Sequence, residues 1–455
     1  MQQIAQRRSR GSAATAAALG GLLFGFDTAV IAGVTQALTD SFDLTPAGLG
    51  AAVSAALVGT LVGALGAGKP SDRHGSRVIL IWIGVAYILS AIGCALSGNL
   101  ILFVAFRLLG GLAIGGSSVA APVYIAEISP AAKRGRMVAA FQLSIVIGIL
   151  AAYLSNALIG MSSDAPELWR VKLGVAAAPA CLFIMLLLLI PDSPRWLLQQ
   201  GRAEEARAAI DRLALEDAAA LMETPHTVPA TARSDRLSWR THRRPILLAI
   251  AIAAFNQLSG INAILYYLGD IFAMGGFSSL SADLQSVAIG IANLAATLIG
   301  MALIDRVGRR PLLLVGAVGT AVALAGVATI YTMGRGEALL LPMLIGFILF
   351  FAVSQGAVIW VYLSEIFPTA VRARGQALGS GVHWGLNALI AFGFPIVAQQ
   401  SRALPFWAFA VAMVAQALVV WRYFPETRGR ALDEAIRPLT GAAGHGKPAY
   451  DDHAL

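Results

Sequence analysis

The chain has 455 residues, of which 57% are hydrophobic and only 13% are charged, against about 25% charged in an ordinary soluble domain. With a mean hydropathy of +0.73, water is excluded as its main solvent. The net charge of +8 is spread over short clusters between apolar runs, a pattern that sets membrane topology and excludes a nucleic-acid patch.

In chain order, Arg7, Arg8 and Arg10 precede an apolar run that passes Val30 and carries Asp27. A cleaved leader has a shorter apolar core, so this run is expected to be a retained first span. The segment Asp40 to Pro46 is poor in Lys and Arg, whereas Lys69, Arg73 and Arg77 form the next basic cluster. Val78 to Leu96 makes the third run, and Arg107 lies inside the fourth. Lys133, Arg134 and Arg136 precede the fifth run, which holds Gln142; Val171 to Ile190 is the sixth.

A polar stretch from Gln199 to Arg240 follows, and its Ala203 to Ala220 part is patterned as short amphipathic helices. Beyond it, Asn256, Gln257 and Asn262 fall in the seventh run, Asn293 in the eighth, Trp360 in the tenth, and His383, Trp384 and Asn387 in the eleventh. Basic clusters recur at Arg306, Arg309 and Arg310, at Arg372 and Arg374, and at Arg428 and Arg430. Runs of about 20 residues match a hydrocarbon core of roughly 30 Å. Such continuous apolarity suits helices, not barrel strands.

The expected fold is all-α, with twelve transmembrane helices in two six-helix bundles. Its expected divisions are 1–195 and 241–430 for the bundles, 196–240 for a cytoplasmic helical linker and 431–455 for a cytoplasmic tail. Basic clusters in alternate loops place both termini and the linker in the cytoplasm. Cys94 and Cys181 fall in apolar runs, the histidines lack ligand spacing, and neither a GxxxxGK[ST] nor a GxSxG motif occurs. The reading is therefore of a non-enzyme with no cofactor or metal.

The chain also repeats itself. Asp72-Arg73-His74-Gly75-Ser76-Arg77 returns as Asp305-Arg306-Val307-Gly308-Arg309-Arg310, and Tyr124 to Pro130 returns as Tyr362 to Pro368. Pro191-Asp192 returns as Pro425-Glu426. All three pairs have nearly the same offset, about half the chain, which implies two parallel repeats related by an axis along the membrane normal. Within each half, Asp72 with Arg73, Glu127 with Arg134, Asp305 with Arg306 and Glu365 with Arg372 are expected to pair as a cytoplasmic gate. The alternative is helix-end charges that only set topology.

Five further stretches occur in order: Gly21 to Thr28, Pro122 to Gly135, Pro191 to Leu197, Gln257 to Asn262 and Pro425 to Gly429. With these, the chain resembles, nearly from end to end, the sugar porter family of the major facilitator superfamily. The resemblance implies the major facilitator fold, alternating access, and a functional monomer in the inner (plasma) membrane with a monosaccharide and protons as partners. A sugar presents hydroxyls around apolar C–H faces, so its site needs uncharged amides and an aromatic surface. Gln142, Asn256, Gln257, Asn262, Asn293, His383 and Asn387, with Trp360 and Trp384, are residues of that kind; interhelical hydrogen bonding is the alternative role.

By the resemblance, Gln142, Gln257, Asn262, Asn293 and Asn387 bind sugar hydroxyls and Trp360 stacks on the ring. Asp27 matches the proton-carrying aspartate of symporters and Arg107 the arginine that faces it. The expected function is proton-coupled monosaccharide symport; a proton-independent facilitator, a cyclitol transporter and a non-transporting sugar sensor are the alternatives. Three departures stand out: Asn256 for a glutamine, Gln355-Gly356-Ala357 for a Gly-Pro stretch, and His383 for an amide. Spacing puts His383 and Asn387 on one face of a helix, near one site, and leaves Trp384 at the edge of that site.

Overall fold

The computed structural model describes residues 2–129, 134–163, 165–213, 215, 237–368 and 371–428. Among them there is no strand, and twelve helices are long and apolar enough to cross a membrane. The first six are Ser12–Gly33, Pro46–Gly66, Ser76–Leu96, Leu100–Ile128, Ala139–Gly160 and Leu168–Leu189. The second six are Trp239–Tyr266, Ser279–Val307, Arg309–Met333, Glu337–Glu365, Arg374–Gln400 and Leu404–Tyr423. The tail 431–455 and most of the linker, 216–236, lie outside the described residues. What is described of the linker includes the helix Ala203–Leu213, which buries Ala206, Ala209, Ile210 and Leu213 along one stripe.

Local chemistry sets the helix ends. Thr45 accepts a hydrogen bond from the Gly48 N–H at 3.2 Å with Pro46 in the first turn, and Asn99 accepts from Leu102 at 2.9 Å. The repeated glycine of the duplicated motif, Gly75 in one half and Gly308 in the other, takes φ of 85° and 104°. A β-carbon disfavours that conformation, which turns the chain directly from one span into the next. The outward surface of the spans is rich in apolar side chains: Ile101 is 83% exposed and Val62, Trp82, Val322 and Leu418 are all exposed. A face this apolar needs lipid against it.

Small residues then let backbones touch. A β-carbon on Gly25 of the first span would lie 1.8 Å from the Ile145 carbonyl oxygen of the fifth, and one on Gly111 of the fourth would lie 1.9 Å from Ala56 O of the second. Without a hydrophobic drive inside lipid, such close backbone packing is what holds spans together. Gly111→Val is therefore expected to lower stability by about 1–3 kcal/mol or more, since overpacking forces backbone shifts. Thermal unfolding of the detergent-solubilised protein measures it, and an unchanged midpoint would contradict this packing.

Two spans are broken. The seventh stops at Leu258 and restarts at Ile261, with Gly260 between them at φ 77°. The helix is thus open around Gly260, and the ring of Phe409 occupies the space a side chain there would need. The tenth contains a wide π-helical turn over Ala352–Gly356. Its irregularity arises without proline, by an extra residue in the turn.

Candidate functional site

At the centre of the first half, Asp27 on the first span meets Arg107 on the fourth, with Oδ1 and Nη1 2.6 Å apart. Both side chains are buried, and Arg107 Nε has no hydrogen-bond partner among the described residues. Tyr87, Ser90 and Cys94 close one side of the pair. On the other side opens a small cavity, where Asp27 and Arg107 share the walls with Phe24, Thr60, Tyr266 and Trp384. A charged pair in an apolar bundle thus borders a space that the second half completes.

The second half supplies a cluster of amides and rings around the broken seventh span. Gln257 is its hub: its amide nitrogen donates to Asn256 Oδ1 at 3.2 Å and lies 3.0 and 3.1 Å from the two ring nitrogens of His383. Its carbonyl oxygen accepts from Asn262 at 3.1 Å. The five-residue gap between Gln257 and Asn262 closes because the helix breaks between them. Asn387, one turn beyond His383, donates to the Tyr266 hydroxyl at 3.2 Å, while its own carbonyl oxygen is buried and has no partner among the described residues.

The aromatic rings continue the cluster toward Asp27. Trp360 stands 5.2 Å from His383, His383 stands 4.9 Å edge-on to Trp384, and Trp384 stands 5.5 Å from Phe24 of the first half, all between ring centroids. Trp384 is buried, stands against His383 and lines the Asp27 cavity. The helix face it occupies points at the other half, and a helical spacing alone does not reveal that. Gln142 is half-buried on the fifth span and Asn293 buried on the eighth. Among the described residues, neither is hydrogen-bonded into the Gln257 cluster. Tyr266 and Phe24 were missed from sequence, although Tyr266 follows Asn262 by one helical turn.

At the basic end the duplication is legible contact by contact. Tyr124 donates to Pro191 O at 2.7 Å and Tyr362 to Pro425 O at 3.4 Å. Arg77 donates to Leu187 O at 2.9 Å and Arg310 to Trp421 O at 2.5 Å. Arg77 also pairs with Asp192 at 3.4 Å. Burial pushes the Glu426 carboxyl up, yet the backbone N–H groups of Arg309, Arg310, Thr427 and Arg428 outweigh it and hold the group below its usual range.

The expected gate pairs need correction. Asp305 pairs with Arg309 at 3.0 Å, not with Arg306, and Glu365 pairs with the same Arg309 at 2.8 Å while accepting from Thr427 at 2.6 Å. Asp72 and Arg73 are exposed and do not pair with each other; Asp72 instead accepts, through its backbone oxygen, the Trp196 indole N–H at 2.9 Å. Adjacent helical residues diverge by about 100°, so only the residue one turn away comes into reach. Glu127 remains beside Ser193, and the side chain of its expected partner Arg134 lies outside the described residues. Arg372 opens the helix that carries the eleventh span.

All these charge contacts lie within one half. Among the described residues, polar contacts that cross between the halves gather at the opposite end: Tyr153 donates to Leu265 O at 3.0 Å, and Lys172 pairs with Asp283 at 2.7 Å. Two duplicated sets of membrane-crossing helices around a polar interior, joined at one end, define a solute transporter. A sequence profile described as Sugar (and other) transporter matches residues 13–437. The D-xylose-proton symporter of Escherichia coli K12 is 34% identical over 458 residues, covering 92% of this chain and 93% of that protein. The glucose transporter GlcP of Staphylococcus epidermidis is 37% identical, covering 93% and 97%. Among solved structures, the partially occluded inward open conformation of the xylose transporter XylE from E. coli superimposes with a TM-score of 0.82 at 31% identity, over 92% of this chain and 99% of that one. The chain belongs to the Sugar (and other) transporter family, and it is a multi-pass membrane protein.

Proposed function

We propose that this protein couples entry of a monosaccharide, a hexose or pentose, to entry of protons across the inner (plasma) membrane, by alternating access between its two halves. The observation that carries this reading is the cavity shared by the Asp27–Arg107 pair and Trp384, which stands next in line to the His383–Gln257 cluster. A proton-accepting carboxylate and a polyol site lie within a few side chains of each other. Occupancy of one then alters the surroundings of the other, as coupling requires.

In this reading Gln257, Asn262, Asn293, Gln142 and Asn387 exchange their mutual or missing hydrogen bonds for sugar hydroxyls, and Trp360 offers the stacking face. Asn256 and His383 hold Gln257 in place. A proton on Asp27 removes its attraction for Arg107, and the freed guanidinium and carboxyl re-partner as the halves rock. The basic loops face the cytoplasm, as the excess of Lys and Arg requires. The contacts between halves then close the outer face, consistent with the likeness to an inward open relative. Asp72, Arg73, Glu127, Arg134, Asp305, Arg306, Glu365 and Arg372 belong to the cytoplasmic gating region, with Arg309 as the pairing centre of the second half. The sugar passes unchanged, with no cofactor and no covalent step, through a single chain.

The test is uptake of labelled hexoses, pentoses and cyclitols into proteoliposomes with and without an imposed proton gradient. Concentration of at least one hexose or pentose above the external level, only with the gradient, is expected. Equal uptake in both conditions would leave a facilitator and remove the coupling. Accumulation limited to cyclitols would remove the monosaccharide.

A further inference from the structure

Lys172 in the sixth span and Asp283 in the eighth carry charges that neither the sugar cluster nor the Asp27 pair uses. Lys172 Nζ lies 2.7 Å from Asp283 Oδ2 and donates to Gly33 O at 3.1 Å. The side chains are only 9% and 8% exposed. Gly33 closes the 3₁₀ turn that ends the first span, so the ammonium is bound to the two halves at once. Gly160, the last residue of the fifth span, makes the room: a β-carbon there would stand 3.1 Å from Asp283 Oδ2 and 3.8 Å from Lys172 Nζ. The ends of four spans therefore converge on one ion pair, and the smallest side chain stands where the charges need space.

The placement differs from that of the other ion pairs described. Asp27–Arg107 lies within the first half, and Arg309 with Asp305 and Glu365 lies within the second. Lys172–Asp283 joins the halves, at the end away from the basic loops. A buried charge is tolerated only with its partner, so while the halves touch here each charge depends on the other. When they part, water reaches both and each is hydrated separately. Removing one charge thus penalises only the state in which this end is closed.

We propose that Lys172 and Asp283 form an outer latch, one charge from each half, that makes closure of the outer face depend on their pairing. The proposal rests on the alternating-access reading, yet its test reads geometry without sugar or proton gradient, so the two can fail separately. Spin labels on Ser162 and Ser279, which are exposed on the two halves at this end, report the gap by double electron–electron resonance. The background replaces Cys94 and Cys181 by serine.

Lys172→Met and Asp283→Asn are each expected to raise the ratio of long to short distances by about tenfold or more. Lys172→Arg should keep the short distance, and the neutral pair Lys172→Met with Asp283→Leu should restore it. Unchanged distributions in both single variants overturn the latch. A neutral pair as open as the single variants overturns it too, since packing and not charge would then hold the gap. If the single variants fail to reach the membrane while the neutral pair does and stays closed, the charges serve folding alone, and the latch is equally refuted.

Discussion

Replacing Asp27 by asparagine is expected to abolish proton-driven accumulation of sugar while leaving sugar exchange intact. The amide keeps the shape of the side chain and an oxygen for Arg107, whose Nη1 lies 2.6 Å away in the parent. It cannot take up or release a proton. Uptake under an imposed pH gradient should fall to simple equilibration, a complete loss of concentrating power. Counterflow of labelled against unlabelled sugar, measured in the same proteoliposomes, should continue, because the amide and aromatic cluster on the second half is untouched. A variant that still concentrates sugar would remove Asp27 from the coupling step and leave Arg107–Asp27 as a structural pair.

Gln257→Ala is expected to have the largest effect on binding. Its amide holds Asn256, Asn262 and the His383 ring together, so truncation leaves both a sugar hydroxyl and neighbouring amides unpaired. Each unpaired buried polar group costs about 1–3 kcal/mol. Affinity should therefore fall about tenfold at the least, since about 1.4 kcal/mol is a factor of ten. Isothermal calorimetry in detergent reads this directly; binding of parental strength would place the sugar elsewhere.

Both expectations draw on residues readable before any coordinates. Asp27 and Arg107 stand out because charges inside apolar runs are rare, and Gln257 with Asn262 because two amides flank a glycine in a lipid-spanning segment. Apolar run length fixes the twelve spans for the same reason, since no other feature of a chain matches the thickness of a bilayer. What stayed hidden depends on contacts between distant segments. Lys172 sits two residues beyond Arg170, and both look like charges at a span end; only the fold brings Asp283 across the gap to one of them. Asp305 takes Arg309 and not its sequence neighbour Arg306, because a helix brings together residues one turn apart. For Trp384, spacing gives a direction around one helix and says nothing about what the neighbouring bundle presents there, which is Phe24.

The break in the seventh span leaves Ile261–Tyr266 as a helix of six residues, far below the length at which a helix sustains itself. Its order is borrowed from Tyr153, which binds Leu265 O from the other half, and from Asn387, which binds Tyr266. The same few residues carry Asn262 to the sugar cluster and Tyr266 to the Asp27 cavity. If Asn262 binds sugar as proposed, one short stretch of chain serves both sugar recognition and the wall of the cavity beside Asp27. A substitution that shifts this helix to retune Asn262 then also moves Tyr266 in the cavity beside Asp27, so the two sites are mechanically linked through six residues.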